Sequence, residues 1–68
     1  MRDTNRIQKF CNRLARAWEF VPDWRFGQLM FNALSEIGKD PFYVEDDKMI
    51  KYLEDYCKKH SPYYKEEK

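Results

Sequence analysis

Residues 4–21 read TNRIQKFCNRLARAWEFV, and the spacing within them decides the fold class. Ile7, Phe10, Cys11, Leu14, Trp18 and Val21 recur three and four residues apart. At about 100° per residue they fall within roughly one third of a helix circumference. Asp3 or Thr4 supplies the N-cap. Pro22 ends the helix, because the residue before a proline is pushed out of the α region. Arg6, Lys9, Arg13 and Arg16 keep the same spacing on another face. They form a basic stripe about 15 Å long at 1.5 Å rise per residue.

Downstream of Pro22, Asp23 is placed to cap a second helix running from about Trp24 to Ile37. Phe26, Leu29, Met30, Ala33, Leu34 and Ile37 make one apolar face, while Trp24 and Phe31 fall on nearly the opposite face beside Gln28 and Ser35. A helix apolar on two sides must be covered on both, by its own chain or by a second one. Gly38 suits the position that closes this helix. After a short extended stretch, Phe42-Tyr43-Val44, a third helix opens with Glu45-Asp46-Asp47 and ends with Lys58-Lys59-His60. Charges of these signs favour the helix dipole at both ends. Met49, Ile50, Leu53, Tyr56 and Cys57 form its inner face, with Lys51 and Asp55 paired outside. Two glycines and no alternating β-branched runs argue against a sheet. The expected fold is therefore all-α, a three-helix domain over residues 1–60 with a short extended stretch before its last helix and a mobile tail over 61–68.

The chain has 68 residues, enough for one domain, with 13 Lys and Arg against 12 Asp and Glu. A net charge of +1 excludes a strongly basic protein held to nucleic acid by bulk charge. Chains this short bury only about 60% of their unfolded surface and are marginal without help. Five Phe, five Tyr and two Trp still supply enough apolar surface to fold. No apolar run approaches the roughly 20 residues that span a bilayer, and Met1-Arg2-Asp3-Thr4 leads into a charged segment without a secretory core. A cytoplasmic setting without membrane contact is expected. Cys11 and Cys57 belong to no metal or redox spacing and sit among apolar helix positions, so they read as small buried hydrophobes. A Cys11–Cys57 bridge between first and last helices is the alternative.

No catalytic constellation is present. His60, the single histidine, has no nucleophile at recognisable spacing and reads as a charge partner for a helix C-terminus. There is no phosphate-binding glycine loop and no zinc-ligand pattern. Glu45-Asp46-Asp47 lacks the alternation of a calcium loop, and helix capping accounts for all three. The expected protein is thus not an enzyme and carries no cofactor and no metal. The basic stripe has three readings: a solvated flank, a protein-pairing face, or a phosphate-binding face made by Arg6, Lys9, Arg13 and Arg16. Residues 36–55 carry seven acids against three bases, so this acidic half could meet the stripe in the same chain or in another copy. Trp24, Gln28, Phe31 and Ser35 form the candidate protein-binding face, since Trp and Phe are typical interface anchors. Their alternative role is an internal core.

Trp18, then Pro22-Asp23-Trp24-Arg25-Phe26-Gly27-Gln28-Leu29 with Asn32, then Asp40-Pro41-Phe42-Tyr43-Val44-Glu45-Asp46-Asp47, resembles a family of short bacterial and phage proteins. The resemblance spans about residues 6–56, and its specific parts are the R-x-G-Q-L centre and the F-Y-x-E-D-D segment. Trp24 departs from it, standing where a smaller aliphatic residue is expected. The family carries no established activity, so the resemblance implies a bacterial or phage setting and no chemistry. Arg25 is placed to hold Glu45, Asp46 and Asp47 as a charge-assisted structural contact between the second and third helices. The expected function is a self-associating, dimeric protein-binding module, a regulator or inhibitor of host machinery such as defence. The alternative is a nucleic-acid-binding module using the basic stripe.

Overall fold

The computed structural model describes residues 4–62, and all three expected helices are present: α1 (Asn5–Trp18), α2 (Phe26–Glu36) and α3 (Asp46–His60). Among the described residues there is no strand. The expected tail over 61–68 lies outside this range beyond Pro62, as does Asp3.

α1 starts from Thr4, whose carbonyl accepts from the Ile7 N–H at 3.0 Å. The helix tightens as it ends, with Phe20 N–H donating to Ala17 and Val21 N–H to Trp18. Pro22 then stops it, and Trp24 N–H donates back to the Val21 carbonyl at 3.0 Å. That turn places the Trp24 carbonyl within 2.8 Å of the Trp18 indole nitrogen, which donates to it. The second helix consequently begins at Phe26 rather than near Trp24. Arg25 is its extended N-cap residue, and its N–H donates to the Gln28 side-chain oxygen at 2.8 Å. This is the reach-back half of a capping box. α2 closes at Gly38, whose φ of +77° is the left-handed conformation glycine adopts at no steric cost.

Of the stretch expected to be extended at 42–44, Val44 is extended, while Phe42 and Tyr43 belong to a single 3-10 turn over Pro41–Tyr43. Asp40 is the reason. Its side chain accepts from the Phe42 N–H at 3.0 Å and Pro41 fixes the first turn position, so Asp40-Pro41 is a small helix start. α3 follows from Glu45, with Asp46 and Asp47 in its first turn and Lys58, Lys59 and His60 in its last.

The core is built as two joined clusters. Ala17, Val21, Leu29 and Cys57 form one, and Ala33, Ile50, Leu53 and Tyr56 the other. Leu14, Trp24 and Met30 touch both. The inner face expected for α3 is observed, with Ile50, Leu53, Tyr56 and Cys57 buried and Met49 half-buried. The face expected for α1 is displaced. Ile7 is 49% exposed and Cys11 is exposed, while Ala17, not among the expected core positions, is buried. The inward stripe is Phe10, Leu14, Ala17 and Val21, which rotates the helix by roughly 45° toward its basic side. α2 lies against α3 through Leu29 and Ala33, and Tyr52 Oη donates to the Ala33 carbonyl at 2.6 Å.

Trp24 and Phe31 are separated by this arrangement. Trp24 is half-buried outside α2, its ring 6.2 Å from that of Tyr56 and 5.9 Å from that of His60. Phe31, on the outer face of α2, is 74% exposed. Trp24→Ala should therefore cost about 3 kcal/mol, the low end for deleting a core tryptophan, and should largely unfold a domain of this size. Phe31→Ala should stay within roughly 0.5 kcal/mol of the parent. Thermal melts followed by circular dichroism at low protein concentration check both; equal losses would contradict the division.

Candidate interaction surface

Among the described residues, the buried core holds Leu29, Leu53, Ile50, Val21, two alanines and a cysteine, with Tyr56 its one buried ring. Phe10, Trp18, Phe20, Trp24 and Tyr52 are half-buried against it. Four rings are exposed: Phe26, Phe31, Phe42 and Tyr43. Phe26 is accounted for internally, since it lies on the Trp18 ring at 5.8 Å between centroids. Phe42 and Tyr43 lie against each other, and Phe31 stands apart on the outer face of α2.

Phe42 and Tyr43 are 81% and 77% exposed. The capped 3-10 turn sets their direction, and they meet edge to face at 4.9 Å with ring planes 83° apart. That geometry matches the electrostatic preference of aromatic pairs. Beside them opens a shallow groove of about 550 Å³, bounded by Arg6, Phe42, Tyr43, Glu45, Asp46 and Asp47. Phe42-Tyr43 has no apolar period and in the sequence reads as a short connector before the third helix. The signal that marks it is Asp40-Pro41, which starts a helical turn and leaves the next two side chains pointing away from the core.

On α2, Gln28, Phe31 and Ser35 share the exposed outer face expected for them. Trp24 does not join them. Gln28 also holds the Arg25 N–H, so its side chain serves the helix start as well as the surface.

Half of the basic stripe is turned onto the molecule itself. Arg6 pairs with Asp46, and Arg13 grips Glu54 with both ends of its guanidinium, Nε and Nη2 each 2.7 Å from a carboxylate oxygen. This fork-to-fork contact joins α1 to α3 and holds the Glu54 carboxyl below the usual carboxylate range. Lys9 and Arg16 remain on the exposed side of α1. The Arg25 contact with Glu45, Asp46 and Asp47 is not formed. Arg25 sits at the exposed start of α2, and the acidic cluster is met from α1 by Arg6. The rotation of α1 explains the exchange, because it brings Arg6 and Arg13 to the edge of the core facing α3.

Among the described residues, no three His, Cys, Asp or Glu side chains are placed to hold a metal ion. Cys11 and Cys57 are both free thiols, so no bridge links the first and last helices. Cys57 is fully buried, and that burial pushes its thiol up. Cys11 is exposed, contrary to its expected place in the core. His60 lies against Tyr56 at 4.4 Å between ring centroids, an aromatic neighbour rather than a partner for a nucleophile. Among the described residues, no helix is long and apolar enough to cross a membrane. No known protein family, curated protein or solved structure matches the chain.

The Arg13–Glu54 contact has a pH signature. A carboxyl whose folded value is depressed adds stability above its ordinary unfolded value, near 4.3, and that stability is lost as pH falls through the folded value. The parent should lose resistance to urea as pH drops below this point, and Glu54→Gln should flatten that part of the profile. Urea midpoints measured across the acid range check this; identical profiles would show that the pair adds nothing.

Proposed function

We propose that the protein is a small non-enzymatic protein-binding module that pairs with a second copy of itself and engages a further protein partner. The observation that carries the reading is the placement of rings: Phe31, Phe42 and Tyr43 lie exposed, away from the rings packed on the core. Exposed aromatic anchors are the usual centres of protein interfaces. A domain with so small a core also gains stability by associating.

The self-pairing face is the outer side of α2, with Phe31 at its centre and Gln28 and Ser35 beside it. An 11-residue helix offers a limited face. At about 16 Å of length and about 10 Å of width, one face of it covers far less than the roughly 800 Å² that each partner contributes to a standard interface. The dimer therefore belongs to the weak, micromolar class. In a bacterial or phage cytoplasm, the setting implied by the sequence resemblance, such a module acts as a regulator or inhibitor of host machinery such as a defence system.

The pairing of Arg6 and Arg13 with acids of the same chain weighs against the alternative, a nucleic-acid-binding module. Phosphates would have to displace Asp46 and Glu54, leaving Lys9 and Arg16 as readily offered cations. Two phosphate contacts give a salt slope of only about −1.8. Sedimentation equilibrium across micromolar concentrations tests the proposal. The parent should approach twice 8.4 kDa and Phe31→Ser should stay near that monomer mass with its helical signal intact. A monomeric parent, or tight oligonucleotide binding with a steep salt slope, would contradict it.

A further inference from the structure

Phe42 and Tyr43 form a second surface whose occupant is specified by its charge. The groove beside them carries one guanidinium, Arg6, and three carboxylates, Glu45, Asp46 and Asp47. Three negative charges against one positive leave a balance of −2. Two exposed aromatic faces therefore stand next to an anionic depression. Aromatic faces attract cations through their quadrupole, and arginine more often than lysine, because a flat guanidinium can lie on a ring while its edge forks to a carboxylate.

We infer that this groove binds an arginine-bearing segment of a partner protein, with the guanidinium against Phe42 and Tyr43 and its N–H groups on Glu45 and Asp47. This rests on the reading of the protein as a binding module and names the chemistry of its partner. Asp46 is the least available of the three acids, since Arg6 already holds it. The 3-10 turn fixes the backbone that carries both rings through Asp40 and Pro41, so less ordering is needed when the segment arrives.

The test is an amide NMR titration of the full chain at low salt with three short peptides alternating glycine with arginine, lysine or glutamate. The arginine peptide should shift the amides of residues 42–47, the lysine peptide should do so more weakly, and the glutamate peptide should not. Phe42→Leu with Tyr43→Leu keeps the surface apolar but removes the rings, and should weaken arginine-peptide binding by roughly fivefold or more. Glu45→Gln with Asp47→Asn should abolish it, with circular dichroism confirming that α3 is retained. Unchanged binding by the leucine variant, or equal shifts from arginine and glutamate peptides, would overturn the inference. Displacement of the peptide by magnesium chloride but not by sodium chloride of equal ionic strength would also overturn it, in favour of a metal site. So would displacement by rising concentrations of the protein itself that Arg16→Gln relieves, which would assign the groove to a second copy. No arginine-peptide binding alongside a dimer that Phe31→Ser dissolves removes this inference alone; loss of both removes the binding-module reading as well.

Discussion

The hydrogen bond from the Trp18 indole to the Trp24 carbonyl is the constraint on which the rest of this structure depends. It joins the last residue of α1 to the linker before α2, and so sets where the chain turns. With that carbonyl engaged, the Trp24 ring swings inward, touching both core clusters and lying against Tyr56 and His60 near the end of α3. One side chain from a seven-residue connection thereby closes the interior between all three helices. In a chain this short, helices hold together by tertiary packing more than by their own propensity.

The rotation of α1 follows the same logic. Ala17, small and buried near the end of the inner face, lets α1 pack against α3, and the same face carries Arg13 onto Glu54 and Arg6 onto Asp46. These contacts are exposed, so each contributes little to stability by itself. Half of the basic stripe, Arg6 and Arg13, is thereby satisfied within the molecule. What the surface retains is Lys9, Arg16, the exposed rings and the acids beside Phe42 and Tyr43.

Helix number, order and approximate extent were legible because the apolar period in each segment is clear and Pro22, Gly38 and Pro41 punctuate it. The inner face of α3 was legible for the same reason. The inner face of α1 was not, because a small residue such as Ala17 carries almost no hydrophobic weight, while Ile7 and Cys11 carry enough to pull the apparent stripe around. The place of Trp24 was hidden by the assumption that Asp23 caps α2; the true start is fixed by Gln28 reaching back to Arg25, a side-chain contact that apolar spacing does not report. Arg25, a cation in a largely apolar second segment, reads as the partner of the acidic cluster, whereas the pairing is decided by which face of α1 meets α3. Of the candidate face, Gln28, Phe31 and Ser35 stand where expected. The Phe42-Tyr43 pair had no periodic signal because it belongs to a single turn.

The central claim is that Trp24 completes the interior while Phe31, Phe42 and Tyr43 are left exposed. The most direct measurement is a set of nuclear Overhauser contacts among aromatic ring protons in dilute, monomeric protein. The account predicts contacts from the Trp24 ring to those of Tyr56 and His60, slow exchange of the Trp18 indole proton, and no long-range contact from Phe31. Contacts between Trp24 and Phe31, with none to Tyr56 and a freely exchanging Trp18 indole, would contradict it.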